Sequence, residues 1–202
     1  MAKGGGALTV APQMFQARVH GRGGQGVVTA AELLSLAAFA EGLEAQAFPS
    51  FGSERMGAPV VAFCRTDTKP IRLREPIAEP DAVIIQDPTL LHHVDVFGGL
   101  TETGYVLINS ARSIEELGLA ELLTPARAGR VVTVPAGELA RARTGRPIPN
   151  AALLGALSAM TSVVSQDSIE AAIHGRFKGK MADSNAAAAR DAFDYVREPV
   201  HA

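Results

Sequence analysis

The sequence predicts an α/β fold: a single doubly wound, Rossmann-like domain with a mostly parallel sheet and a helical C-terminal portion. Three observations carry this expectation. Short apolar runs alternate with helix-period stretches from residue 14 to about residue 136. Two of the runs, DAVIIQD (81–87) and GYVLINS (104–110), are continuously apolar, as are strands buried on both faces of a parallel sheet. A glycine-rich turn, Gly21-Arg22-Gly23-Gly24-Gln25-Gly26, follows the first run and opens the first helical stretch.

In chain order, residues 14–20 (MFQARVH) alternate well enough for a strand. A helix is expected from about Gln25 to Glu41, with Val27, Ala31, Leu34 and Ala38 on one face and Gly42 as its stop. LEAQAF (43–48) and APVVAFCRT (58–66) are further strands. After DAVIIQD, Asp87-Pro88 supplies an N-cap followed by proline at the first helical position, for a short helix from Leu90 to Phe97. Ser113 to Glu116 fits a capping box for another short helix, and RVVTVPA (130–136) is the last strand. In the helical third, the turn TGRPIPN (144–150) places Asn150 as N-cap of a helix with the stripe Leu153, Leu157, Met160 and Val164. A second helix is expected from about Asp167 to His174. A third, from about Lys180 to Arg197, would bury Met181, Asn185, Ala188, Ala192 and Val196. No composition shift marks a second domain: residues 1–13 read as a flexible arm and 14–202 as one unit.

Composition narrows the function. The 202 residues are 47% hydrophobic and 20% charged, ordinary for a globular chain and incompatible with disorder over its bulk. A chain this long buries roughly 70% of its unfolded surface, so it needs no staple. The net charge of -2 gives no reason to expect nucleic acid, and 5% aromatics with no tryptophan argue against a base-stacking platform. A single cysteine, Cys64, cannot hold a four-cysteine cluster, a cysteine-rich zinc site or an internal disulfide. That count fits a reducing compartment, the cytoplasm, and no run is long and apolar enough to span a membrane.

The glycine turn carries the clearest chemistry. Glycines permit a tight turn and close approach of a ligand, and the free N–H groups of a helix start favour phosphate. The competing reading is that the glycines only allow strand and helix to pack closely. A nicotinamide site would need an acidic residue at the end of the second strand, where the chain has Gln46 to Ser50 instead; Glu44 stands near that strand's start. The second constellation is the long loop Phe48 to Gly57, which contains Ser53, Glu54 and Arg55. Its arginine could grip an anion, or pair with Glu54 at the surface while Phe48 and Phe51 enter the core. Ligands collect beyond the carboxyl ends of parallel strands, so the turn, this loop, Asp87, Asn109-Ser110 and Pro135-Ala136 should share one rim. Asp87 reads first as a helix cap, and Asn109 and Ser110 as turn residues. His92 and His93, adjacent in sequence, do not chelate one metal, and Arg176, Lys178 and Lys180 with Phe177 form a small basic cluster. No nucleophile elbow or metal motif is present.

The runs GRGGQGVVTAAELL, AQAFPSFGSERMGAPVVAFCR and EPDAVIIQDPTLL, followed by NAALLGAL (150–157) and FKGKMADSNAAAARDAF (177–193), together resemble the gamma subunit of pyruvate:ferredoxin oxidoreductase and related 2-oxoacid:acceptor oxidoreductases. The likeness runs from about Phe15 to Val196; Ser53 stands where the family has proline. The resemblance implies a subunit of a complex that oxidatively decarboxylates a 2-oxoacid to acyl-coenzyme A and reduces ferredoxin. It implies partners of the alpha, beta and delta types that carry thiamine diphosphate, magnesium and [4Fe-4S] clusters, and no cofactor held by this chain alone. It implies a part in assembly and in the coenzyme A path, and the loop FPSFGSERMGAPV is nearer the pyruvate type than the 2-oxoglutarate type. The candidate ligand-binding residues are Gly21, Arg22, Gly23, Gly24, Gln25, Gly26, Ser53, Glu54, Arg55 and Asn109. No residue is assigned to catalysis or metal. The alternatives are a stand-alone nucleotide- or NAD-binding protein and a pure scaffold.

Overall fold

The computed structural model describes residues 14–50 and 56–198; the expected arm at 1–13 and the loop residues Phe51, Ser53, Glu54 and Arg55 lie outside them. Six strands form one sheet: β1 (Phe15–Arg22), β2 (Glu44–Pro49), β3 (Pro59–Asp67), β4 (Ala82–Ile85), β5 (Tyr105–Asn109) and β6 (Val131–Val134). Their order is β2-β3-β1-β4-β5-β6. β1, β4, β5 and β6 pair in parallel, while β3 runs against both β1 and β2. The exception follows from chain length: a parallel partner needs a crossover of a dozen or more residues, and only residues 50–58 join β2 to β3. The helices are α1 (Val27–Ala40), α2 (Ala136–Thr144), α3 (Asn150–Thr161), α4 (Gln166–Arg176) and α5 (Gly179–Arg197). Among the described residues no helix is long and apolar enough to cross a membrane.

The pleat divides the core. Ala17, Val19, Ala82, Ile84 and Leu107 face a layer built from α1, α3, α4 and α5. Val83, Ile85, Val106 and Ile108 face the other way, onto Leu90, Val96, Ile114 and Leu122 of the connecting segments. Each valine, leucine or isoleucine among them, fully buried, contributes roughly 1.5–3 kcal/mol. The stripe expected for α1 is buried throughout.

Several local expectations differ from the structure. The helix expected from Leu90 to Phe97 is a short 3-10 turn, Pro88–His92. The carbonyls of Val96 and Gly98 accept from Arg18 Nη2 at 2.8 and 2.7 Å, which turns them inward instead of along a helix axis. The Ser113–Glu116 capping box closes reciprocally at 2.8 and 3.2 Å, yet only a turn follows, ended by Gly118. Asn150 is the first residue of α3, with Pro149 at the cap position. In α5 the buried row is Ala182, Ala186, Ala188, Ala189 and Ala192, and Met181 is 58% exposed. α2 is an element for which the sequence reading had no counterpart.

On the sheet face away from the helices, Arg18 and His20 sit side by side in β1, 9% and 4% exposed. Arg18 Nε donates to His20 Nε2 at 3.0 Å. Burial pushes the His20 imidazole down to about 4, the Arg18 charge adds to this, and Asp95 opposes it. In the unfolded chain the same group titrates near 6.5. The unfolded state therefore takes up the proton first, and stability present above pH 6.5 is lost as pH falls through 4, by about 3 kcal/mol in all. Urea melts from pH 7 to pH 4 should show this loss, and His20→Gln, which retains an acceptor for Arg18, should show less of it. Equal pH dependence in both proteins would refute the assignment.

Candidate functional site

The glycine turn stands at the carboxyl end of β1 and leads into α1. Gly24 and Gly26 have φ of 94° and 70°, values that side chains disfavour. A Cβ on Gly26 would lie 2.5 Å from Asn150 Nδ2, so glycine is also required for the approach of α3. The neighbouring segment is drawn in by backbone bonds from Gly23 N to the Ala58 carbonyl, 2.9 Å, and from Gly57 N to the Gly23 carbonyl, 3.1 Å.

Side chains fix the turn further. Gln25 Oε1 accepts from Arg22 N at 2.7 Å, and Gln25 Nε2 donates to Asp87 Oδ2 at 2.9 Å. Arg22 Nε lies 3.1 Å from the same Asp87 oxygen, and its Nη1 donates to the Gly57 carbonyl at 3.1 Å. Asp87 Oδ1 accepts from Thr89 N at 3.0 Å, the cap expected of it. Burial alone would raise the Asp87 carboxyl, but the bonds from Thr89 and Gln25 and the Arg22 charge outweigh it and hold it below the usual carboxylate range. Asp87 is thus an ionised anchor for the turn, which excludes it as a proton donor near neutral pH. Gln86, buried beside Gly21, has neither amide atom bonded among the described residues.

Beyond the turn opens a cleft of about 730 Å³. Its walls come from Gly24, Gly26 and Thr29 on one side, Arg143 to Arg146 and Asn150 on another, and Phe177, Lys180, Met181, Ser184 and Asn185 on the third. The N-termini of α1, α3 and α5 all reach it. None of the three has a carboxylate in its first turn, and none has a side-chain cap. Each carries a partial positive charge there, so the cleft favours an anion. No carboxylate lines it, while Arg143, Arg146 and Lys180 do.

The expected rim is assembled among the described residues. Asn109 lies on it with both ends of its amide engaged: Nδ2 donates to the Gln86 carbonyl at 2.9 Å, and Oδ1 accepts from Gly137 N at 2.8 Å. Of the loop, Phe48 packs on Phe63 with centroids 5.1 Å apart, and Met56 is 88% exposed. Glu44 begins β2, at the far end from the turn, so among the described residues no acid follows the end of β2, where a ribose would need one. His92 and His93 are both exposed, and no metal-holding cluster occurs among the described residues. Of the basic cluster, Lys180 and Phe177 line the cleft, whereas Arg176 pairs with Glu32 at 4.0 Å. Arg143, Arg146, Thr29 and Ser184 had no sequence signal, because they reach the cleft only through the tertiary fold.

Three comparisons with known proteins bear on this arrangement. Residues 16–195 match the family described as pyruvate ferredoxin/flavodoxin oxidoreductase. The pyruvate/ketoisovalerate oxidoreductases common subunit gamma of Pyrococcus abyssi is 49% identical over 181 residues, 90% of this chain and 96% of that protein. The crystal structure of pyruvate oxidoreductase subunit PORC from Thermotoga maritima matches at a TM-score of 0.75 and 32% identity, over 91% of this chain and 97% of that one. A 2-oxoglutarate:ferredoxin oxidoreductase from Magnetococcus marinus, solved with 2-oxoglutarate, coenzyme A and succinyl-CoA bound, matches at 0.66 and 16% identity over 92% of this chain but 31% of that longer chain, a likeness of fold alone.

Proposed function

The chain belongs to the pyruvate ferredoxin/flavodoxin oxidoreductase family, and from that premise we propose that its glycine turn and cleft receive the phosphates of coenzyme A within the assembled complex. It is a gamma subunit of a pyruvate/2-oxoacid:ferredoxin oxidoreductase. The observation that carries the coenzyme A reading is the convergence of three uncapped helix N-termini on a cleft without carboxylates. A diphosphate is the group such a site stabilises best. Coenzyme A supplies the thiol that accepts the acyl group. This chain's residues bind and orient its anionic part: the N–H groups of Gly24 and Gly26, which donate to no acceptor among the described residues, are the ones free to donate, and Gln25, Arg22 and Asp87 hold the turn in shape.

The redox chemistry is assigned to companions of the alpha, beta and delta types, with ferredoxin as acceptor and the cytoplasm as location. A [4Fe-4S] cluster does not fit this chain's donor set. Its one cysteine is buried, and burial pushes the thiol up to about 12, far from a ligating thiolate. The choice of oxoacid also belongs elsewhere: the Pyrococcus abyssi subunit is named as common to pyruvate and ketoisovalerate enzymes. We assign pyruvate as the substrate of the complex because it is the oxoacid that the names of these relatives share.

Gly23 lines a hollow of about 250 Å³ beside the turn. Gly23→Val in the reconstituted complex is expected to raise the KM for coenzyme A at least tenfold, with subunit assembly and the KM for pyruvate unchanged. A fully assembled complex with an unaltered coenzyme A requirement would exclude the ligand role and leave the scaffold.

A further inference from the structure

The link from β3 to β4, residues 68–81, starts and ends at the edge of the sheet remote from the glycine turn: Thr66 pairs with Phe15 at the start of β1, and Ala82 with Ala17. It belongs to no helix or strand, yet its back is fastened at alternate residues. Arg65 Nη2 donates to the Glu75 carbonyl at 2.7 Å, Gln16 Nε2 to the Glu79 carbonyl at 3.3 Å and Arg18 Nη1 to the Ile77 carbonyl at 3.5 Å. All three donors stand on the sheet face that lacks α-helices, and Arg65 Nε also donates to Gln16 Oε1 at 3.0 Å. At Gly99 the absence of a side chain lets the Ala78 carbonyl come close; a Cβ there would lie 2.0 Å from it.

The front of the link is open. Five successive residues, Arg72 to Pro76, are exposed, Leu73 to 42%. Ile71 and Leu73 alternate with Arg72 and Arg74, so an extended backbone puts an apolar row on one side and a cationic row on the other. From Ile71 to Arg74 neither backbone nor side chains make a hydrogen bond among the described residues. Lys69, Arg72 and Arg74 also have no ion pair there. The nearby acids are committed elsewhere: Asp67 Oδ1 accepts from Lys69 N at 3.1 Å, and Glu75 offsets the buried Arg65 charge. A run with its backbone donors and acceptors unpaired is a template for an added strand. Because this one is already fastened from behind, ordering it on binding costs little. Its three uncompensated cations set the charge of what it fits, a segment rich in carboxylates.

We propose that residues 69–75 are a docking strip for an extended, acidic segment of a companion subunit. The segment adds as a strand along the backbone of Ile71 to Arg74, sets carboxylates against Arg72 and Arg74, and covers Leu73 with an apolar side chain. The strip is independent of the coenzyme A reading, since it lies at the other end of the sheet from the turn.

The test purifies the complex through a tag on a companion subunit, with either the wild-type chain or Arg72→Glu/Arg74→Glu. The charge reversal is expected to weaken retention of this chain by roughly tenfold or more at about 0.15 M salt, with the thermal melt of the free chain unchanged. Hydrogen exchange tests the wild-type protein without a variant: the amides of residues 71–75 should exchange roughly tenfold or more slowly in the complex than in the free chain. The strip requires both results. Retention unaffected by the charge reversal overturns it, and so does equal exchange in the free chain and the complex. A lower melt of the free variant with equal exchange in the wild-type protein gives these arginines a role within the fold and overturns it too. Binding of the free chain to phosphatidylserine vesicles, lost in the variant while the complex is unaffected, assigns the cations to a lipid surface and likewise overturns it.

Discussion

Gly155→Ala is expected to destabilise the chain by about 3 kcal/mol, although alanine is the better helix former. Gly155 lies inside α3 where that helix crosses α5. A Cβ there would meet the Ala189 carbonyl oxygen at 1.9 Å and its carbon at 2.6 Å. Both are backbone atoms, so no side chain can rotate away; the two helices must separate. Every residue of α3 from Asn150 to Ser158 is buried, and the facing Ala188, Ala189 and Ala192 are wholly so. Separation therefore loosens the whole layer. Helix propensity favours alanine by about 1 kcal/mol, too little to offset this. Gly175 in α4 is the control: a Cβ there meets nothing within 4 Å, so Gly175→Ala should stabilise by about 0.5–1 kcal/mol. The same substitution thus has opposite signs at two helical positions. For a chain of this size the melting temperature should fall by roughly 10 °C at Gly155 and rise by a few degrees at Gly175. A Gly155→Ala protein that melts at or above the wild-type temperature would mean that α3 and α5 do not touch there. Since both helices also wall the cleft, the coenzyme A reading proposed above predicts a higher KM for coenzyme A in the complex assembled with this variant, even below its melting point.

The same crossing explains what the sequence could and could not convey. The strands and α1 were legible because each has a local signature: alternation, a continuous apolar run, or a four-residue stripe ended by glycine. The glycine turn was legible because its chemistry is contiguous. α5 was placed to within a residue at its start, but not its rotation. An alanine-rich helix offers more than one row of small residues, and the row that wins, through Ala182, Ala186 and Ala189, is selected by Gly155 on another helix. The larger Met181 is thereby turned to the cleft. α2 was missed because only Ala136 and Ala140 of it are buried; too little apolar surface repeats along nine residues to mark a helix. It packs beside α5, joined to it by the two-point Arg143–Asp191 pair, and such a partner 48 positions away leaves no trace in a local window. The cleft was illegible for the same reason: its lining runs from Gly24 to Asn185. The glycine turn marked one wall of it, and the basic cluster near Lys180 hinted at another.

Arg18→Met should cost about 3–5 kcal/mol, the scale seen when one partner of a buried charged network is removed. The guanidinium donates to the carbonyls of Val96 and Gly98 and to His20 Nε2, with a longer contact of 3.5 Å to the Ile77 carbonyl. Methionine matches the volume of the stem but supplies no donor, so these acceptors lose their partner inside the protein, at roughly 1–3 kcal/mol for each that water cannot reach. The loss is local in origin. Arg18 is the tie between the central strand β1 and the connecting segments on the face that lacks α-helices, where packing rests on a small cluster around Leu90 and Val96. Hydrogen exchange should therefore accelerate first in residues 77–98 and only later in the helical layer. Arg18→Lys separates charge from geometry: the ammonium keeps the charge near Asp95 but presents its three donors from one point, so it cannot span the same carbonyls. An intermediate loss is expected. If lysine restored full stability, the net charge and not the fork of hydrogen bonds would be what holds this face together; if methionine were tolerated within 1 kcal/mol, the tie itself would be refuted.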